Sequence, residues 1–369
     1  MMGRTDRHCR YFLRGFSAQT LLYTDMIAAA DLLHGDGARC LEFDPEERPV
    51  ALQLGGCDPQ ELAAAARMGE RAGYDEINLN CGCPSDRATG RVFGAYLMQR
   101  PDTVAACVAA MRAAVRVPVT VKMRIGVIEG RGRAAIEASR RFDEAELAAL
   151  CRFVGLVRDA GCDAVIIHAR KAVLGGLSAQ DNREIPPLQY EVVSEVKRAF
   201  PDLQVVMNGG LREPGAILRA LDGLDGVMVG REAYQRPVLL ARLDALVFGA
   251  DPDLRDPDSA RETFAAVRAR AIARMQRYTE RQLASGEKLS AIVRHLQGLY
   301  AGEPGADDFR RTLSEGARRI GAGAEVLREA VASTRGPREY CHVRLATEAR
   351  HHGPTRACSG CHTPHGDIF

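Results

Sequence analysis

Seven short runs of apolar and β-branched residues recur along the first 235 positions: LLYTDMI, PVALQLGG, EINLNCGC, PVTVKMRIG, AVIIHAR, LQVVMNGG and GVMVGRE. A turn signal closes each run, and most lead into an amphipathic stretch rich in Ala, Leu and Arg, as in PQELAAAARMGERAG. Apolar strands alternating with helices predict βαβ units and a parallel sheet covered on its faces. Seven units are close to the eight of a (β/α)8 TIM barrel. A doubly wound sheet is the rival, but it would normally carry a glycine-rich fingerprint after its first strand, and none stands there.

The polar exceptions within these runs fall at or near their C-terminal ends: Gln53, Asn80, Lys122 with Arg124, His168 with Arg170, and Asn208. In a barrel those ends converge on one face, where active sites are built. A single histidine on an apolar strand would be an ordinary packed residue, whereas polar groups at five strand ends are hard to assign to packing. Asn208-Gly209-Gly210 and Gly230-Arg231 follow the last two runs, the usual phosphate position of barrel enzymes. Glycines let backbone N–H groups approach a phosphate, and Arg231 can pair with it. With Lys122 upstream, the set predicts a phosphorylated planar cofactor across the barrel mouth. A lysine there suits a flavin, whose pyrimidine portion gains negative charge on reduction. No His, Cys or Asp cluster in the barrel has metal-ligand spacing, so no catalytic metal is expected.

At 369 residues the chain has room for one large barrel and a small second domain. The net charge of +2 leaves any nucleic-acid role to local patches. No charged-then-apolar leader opens the chain and no apolar run reaches spanning length, which predicts a cytoplasmic protein with no membrane partner. The eleven scattered cysteines suit reduced thiols better than a disulfide framework.

TDRHCRYFLR, PVALQLGG, NLNCGCPSDR, VKMRIG, IHARKAVLGGLSAQDNREIPPL and VMNGG together resemble the tRNA-dihydrouridine synthases, in particular their DusA-type branch. The similarity runs from about Met1 to about Ile320, and the long IHARKAVLGGLSAQDNREIPPL segment is its most specific part. The resemblance implies an FMN-containing barrel over residues 1–243 and a small all-α tRNA-binding domain over 244–335. It implies reduction of FMN by NADPH, then hydride transfer from flavin N5 to C6 of a D-loop uracil, at positions 20 and 20a. By the same resemblance, Gln53, Asn80, Lys122, His168, Asn208, Gly209, Gly210, Gly230 and Arg231 form the FMN set. Arg124, Arg170 and Lys171 are then uracil or RNA contacts. The stretch from Arg261 to Leu299 carries eight Arg and Lys residues against three Glu, as a surface for RNA phosphates needs. The expected enzyme is a monomer.

Two departures bear on activity. The family's proton-donating cysteine lies in a G-A-C-L pattern, and here that pattern reads Gly94-Ala95-Tyr96-Leu97. Tyr96 therefore stands at the acid position. Cys81, on an alternating strand, is expected to point into the outer layer, and Cys83 belongs to the GCPS turn with a structural role. The resemblance also places one strand before Met1, so the barrel is expected to lack its first strand and to expose two edges. Residues 336–369 change composition: they hold five of the nine histidines and three of the eleven cysteines, including Cys358, Cys361 and His362 in CSGCH. A disordered extension is the preferred reading, over haem attachment or zinc. Two alternatives stand beside the synthase: a catalytically silent tRNA-binding flavoprotein, favoured by Tyr96, and an FMN barrel reducing a small pyrimidine-like molecule.

Overall fold

The computed structural model describes residues 1–84, 93–255 and 260–334. Among the described residues nine strands follow one another: β1 (Leu22–Ala28), β2 (Val50–Gly55), β3 (Glu76–Cys81), β4 (Val119–Arg124), β5 (Val127–Glu129), β6 (Ala164–His168), β7 (Ala172–Leu174), β8 (Gln204–Asn208) and β9 (Gly226–Met228). The seven apolar runs are the strands of one parallel sheet in the order β1-β2-β3-β4-β6-β8-β9. The other two, β5 and β7, pair in parallel as a separate ribbon. Strand order never reverses along the sheet. That is the winding of a (β/α)8 barrel and not of a doubly wound sheet, which turns back on itself at a switch point.

Among the described residues the sheet has seven strands, with β1 and β9 as its edges. The first residues of the chain lie between these edges. The backbone N–H of Thr5 donates to Asp25 on β1 at 3.1 Å. On the other side the Arg4 guanidinium lies 5.2 Å from the ring centre of Tyr234, just past β9.

Side-chain parity sorts the sheet into two faces. Leu52, Leu54, Ile77, Leu79, Cys81, Val119, Val121, Met123, Val165, Ile167, Val205 and Met207 form one set, and all are buried and apolar. The opposite parity holds Gln53, Glu76, Asn78, Asn80, Thr120, Lys122, Arg124, His168 and Asn208. Because side chains alternate along a strand, the first set faces the helices and the second faces the barrel interior. The helix Pro59–Ala72 shows how tightly the outer layer fits. Asp58 caps it by accepting from the N–H groups of Gln60 and Glu61, and Gly73 ends it at φ +97°. A Cβ on Gly69 would stand 2.5 Å from Leu52 and 2.8 Å from Ile77, so only glycine lets this helix lie so close to the sheet.

Beyond the helix Val238–Phe248 come four more helices, Ala260–Ala284, Leu289–Val293, Ala306–Gly316 and Glu325–Ser333. The first two dock on the helix Arg7–Arg14 and the segment before it. Tyr11 stacks on Tyr278 with ring centres 4.0 Å apart, and the Tyr278 hydroxyl meets His8 Nδ1 at 2.8 Å. Arg7 pairs with Glu287 at 2.6 Å, and Asp6 joins Arg294 and His295. The apolar core runs without a break from the sheet into these helices. Residue 243 lies inside the helix Val238–Phe248, so we propose that the catalytic and helical parts divide after Phe248. The CSGCH segment lies outside the described residues.

Candidate active site

Cross-strand register gathers the polar residues at the C-terminal ends of the strands. Asn80 pairs with Lys122, Arg124 with His168, and His168 with Asn208. Gln53 pairs with Asn78, two residues below Asn80. Gln53, Asn80 and His168 are buried, while Lys122 and Asn208 are half-buried.

The amides are locked by one another. Asn80 Nδ2 donates to Gln53 Oε1 at 2.8 Å, and Gln53 Nε2 donates to Asn78 Oδ1 at 2.8 Å. Asn80 Oδ1 accepts from the N–H groups of Gly82 and Cys83, at 3.0 and 2.9 Å. Asn208 Nδ2 donates to the Met228 carbonyl at 2.8 Å. Each amide nitrogen therefore keeps one N–H to offer, while the Asn80 oxygen has both lone pairs engaged.

Charge in the mouth is one-sided. Burial and then the Arg124 guanidinium pull the Lys122 ammonium down to about 8. Among the described residues Lys122 has no hydrogen-bond or ion-pair partner. Burial, with Arg170 and Arg183 adding to it, lowers Arg124 to about 9. His168 is held neutral by burial first, and then by Arg124, Lys122, Arg170 and Arg231. Cations that depress one another's pKa, with few carboxylates among them, make a site for an anion.

Glycines close the far side. Gly209 and Gly210 adopt φ of +113° and +66°, and a Cβ on Gly209 would stand 2.6 Å from the His168 ring. The Gly209 carbonyl accepts from the Tyr190 hydroxyl at 2.7 Å. Gly230 precedes Arg231, whose guanidinium is half-exposed and bonds Glu184 at 2.9 Å and the Arg183 carbonyl at 3.3 Å. These groups share one end of the barrel with Asn208.

Two arginines of the VKMRIG and IHARK motifs serve the neighbouring loop, and the lysine beside them does not. Arg124 donates to the carbonyls of Gly82, Lys171 and Asn182. Arg170 donates to the carbonyls of Glu184 and Pro186, and its Nε is buried without a partner among the described residues. Lys171 is 1% exposed and ion-paired to Glu146, beside the Phe142 ring, so its ammonium is directed away from the mouth. The loop the two arginines hold is cinched by Asn182. Its amide accepts from the Val173 N–H at 2.7 Å and donates to the carbonyls of Val173, Leu177 and Ser178.

Tyr96 lies on the short 3-10 helix Gly94–Gln99, half-buried against Ala95, Ala172, Leu174 and Val127. The turn that brings it there is tied to the end of β3. Ala95 N–H donates to the Cys83 carbonyl at 2.8 Å, and that oxygen lies 2.4 Å from where a Gly94 Cβ would stand. Cys81 is fully buried on the helix-facing side, where burial raises its thiol well above the usual range. Sequence reasoning did not single out Glu76, Thr120 and Tyr23, which bond to one another beneath Asn78. The signal was available in their parity, which is that of Asn80 and Lys122. Among the described residues no group of three or more His, Cys, Asp or Glu side chains is arranged to hold a metal ion.

A sequential parallel sheet with its polar groups gathered at the strand ends defines a barrel-type enzyme. The family model for dihydrouridine synthase matches residues 1–335, and the chain belongs to that family of oxidoreductases. It is 49% identical over 332 residues to a tRNA-dihydrouridine(20/20a) synthase of Salmonella typhi, covering 90% of this chain and 92% of that one. It is 47% identical over 337 residues to a protein of the same name from Synechocystis sp., covering 91% and 93%. Among solved structures, an old yellow enzyme homologue from Zymomonas mobilis aligns with a TM-score of 0.47 at 12% identity, over 67% of this chain and 87% of its own.

Proposed function

We propose that the chain reduces a uridine of tRNA to 5,6-dihydrouridine, with FMN held across the barrel mouth and NADPH as reductant. The observation that carries this reading is the character of the mouth: among the described residues, N–H donors left unused on Gln53, Asn80 and Asn208, and a Lys122 without a partner. Such a lining fits a planar group bearing carbonyl and ring-nitrogen acceptors together with a phosphate. Gln53, Asn80, Lys122 and His168 would hold the ring. Gly209, Gly210, Gly230 and Arg231 would hold the phosphate. When bound, the flavin would supply the hydride.

The remaining work falls to the chain. A uracil in folded RNA is stacked, so it must be turned out into the mouth. Arg124 and Arg170 stand beside that mouth, with the buried Nε of Arg170 available to a ligand. The phenol of Tyr96 is the proton donor in this reading. Its reference pKa of about 10 lies above that of a thiol, about 8.5, so it parts with its proton less readily. The relatives' names suggest uridines 20 and 20a of the D-loop. A cytoplasmic monomer is the working form in this reading; no helix among the described residues is long and apolar enough to cross a membrane.

A second reading, a tRNA-binding flavoprotein without turnover, rests on the tyrosine in place of cysteine. Purified chain, FMN, NADPH and unmodified tRNA separate the two. With oxygen excluded, the synthase oxidises more than one NADPH per FMN only when tRNA is present, and Tyr96→Phe slows that turnover by about 10²–10⁴-fold. Undiminished turnover in Tyr96→Phe would remove the phenol from the reaction. Tight FMN and tRNA binding with no turnover would establish the second reading.

A further inference from the structure

Beneath the mouth a line of buried hydrogen bonds descends through the barrel interior, and its lower half has no part in the function proposed above. The N–H groups of Gly82 and Cys83 donate to Asn80, Asn80 to Gln53, and Gln53 to Asn78. Asn78 Nδ2 then donates to Thr120 Oγ1 at 2.8 Å, and the Thr120 hydroxyl donates to Glu76 Oε1 at 2.6 Å. The Tyr23 hydroxyl donates to the same oxygen at 2.6 Å. From Asn80 to Glu76 is four residues of strand, about 13 Å.

Every donor in the line points the same way. A primary amide has one donating and one accepting end, so reversing any of the three sets N–H against N–H. The upper end is pinned by two backbone N–H groups, which can only donate. The lower end must therefore be an acceptor, and a carboxyl oxygen that takes two hydroxyl protons meets that need. Glu76 and Thr120 are 8% and 2% exposed, so bulk water has little access to either partner.

We propose that Glu76 and Thr120 are positioning residues, which fix the sense of the Asn78, Gln53 and Asn80 amides from the opposite end of the barrel. In that sense the unused N–H groups of Gln53 and Asn80 are the ones presented to the cofactor. This rests on the FMN reading above. Without the Thr120 hydroxyl, Asn78 Nδ2 is buried and unpaired. Rotating that amide to relieve it sets nitrogen against nitrogen at Gln53, and the fault passes upward to Asn80.

The test compares Thr120→Val, which keeps the shape and loses the hydroxyl, with Thr120→Ser, which keeps the hydroxyl. Thr120→Ala removes the same group and serves if the valine variant does not fold. Side-chain amide resonances are followed in ¹⁵N-Asn/Gln-labelled full-length chain, and FMN affinity and melting temperature are measured alongside. We expect Thr120→Val to move the Gln53 and Asn80 resonances, though neither residue bonds to position 120. FMN binding should weaken by about tenfold, the cost of one misdirected hydrogen bond, and Thr120→Ser should restore both. Shifts confined to Asn78, with unchanged FMN affinity and only a lower melting temperature, would overturn the proposal. If the parent chain takes up no FMN, the functional reading fails on its own, and the resonances still decide the ladder.

Discussion

Lys122 stands half-buried in the row of Asn80, with no carboxylate against it among the described residues and Arg124 two residues further along the same strand. Its folded-state pKa of about 8 lies below its ordinary 10.5. Between those values the unfolded chain binds the extra proton, so the stability of the chain rises as pH climbs from 8 to 10.5. At neutral pH the charge is a cost that the folded chain carries. Lys122→Met should therefore raise stability by about 1 kcal/mol at pH 7, less than the full shift because the side chain keeps some contact with water. The gain should fade as pH rises through the same window, and FMN affinity should drop. Melting curves from pH 7 to 10.5 check the first part, and flavin titration checks the second. A binding site that weakens the fold it sits in is the usual compromise between stability and function.

At the scale of elements, the strands were legible because each apolar run is continuous and closed by a turn. Their order could be anticipated from the alternation with helices. The site was legible in part: Gln53, Asn80, Lys122, His168 and Asn208 share one parity and one end of the barrel. The lower ladder was legible only as a parity: Glu76 opens β3 and Thr120 lies in β4, and nothing in the sequence pairs them. Whether a buried polar group is satisfied depends on its cross-strand neighbour, and register is a property of the folded sheet. The same limit applies to basic residues. Arg124, Arg170 and Lys171 look alike in sequence, yet the structure turns Lys171 to Glu146 and the arginines largely to loop carbonyls. Asn182 is the clearest case of a loop residue whose work is local. Removing its clamp by Asn182→Ala should cost about 2–4 kcal/mol, since several buried backbone groups lose their partner together. Hydrogen exchange at Val173 should accelerate accordingly. Protection unchanged there would mean the loop is held by other contacts.

Across the whole molecule, the positive charge of the helical part is smaller than its arginine count suggests. Arg268 pairs with Glu303, Arg274 with Glu46, Arg294 with Asp6, and Arg319 with Glu329. Arginines nonetheless gather at one place, beside Glu46. Arg14, Arg270, Arg274, Arg277 and Arg281 line a recess of about 540 Å³ where the helix Ala260–Ala284 meets the helix Arg7–Arg14. Arg270 and Arg277 are exposed and have no ion-pair partner among the described residues. If tRNA lies along this face, replacing both by glutamine should weaken binding about equally for any sequence. The slope of log affinity against log salt should fall by about 1 for each arginine. An unchanged slope would place the RNA elsewhere.

Tyr96, where the sequence resemblance puts a cysteine acid, sits on a 3-10 helix held to the end of β3 by the Cys83 carbonyl. In the proposed reading its phenol is the acid, and the account predicts that it works. The most direct measurement is dihydrouridine, by mass spectrometry, in tRNA from synthase-deficient cells expressing this chain or its Tyr96→Cys variant. The account predicts dihydrouridine from the parent chain and at least as much from the cysteine variant. No dihydrouridine from the parent, with recovery in Tyr96→Cys, would contradict the phenol as acid and leave the chain a flavoprotein that binds tRNA without reducing it.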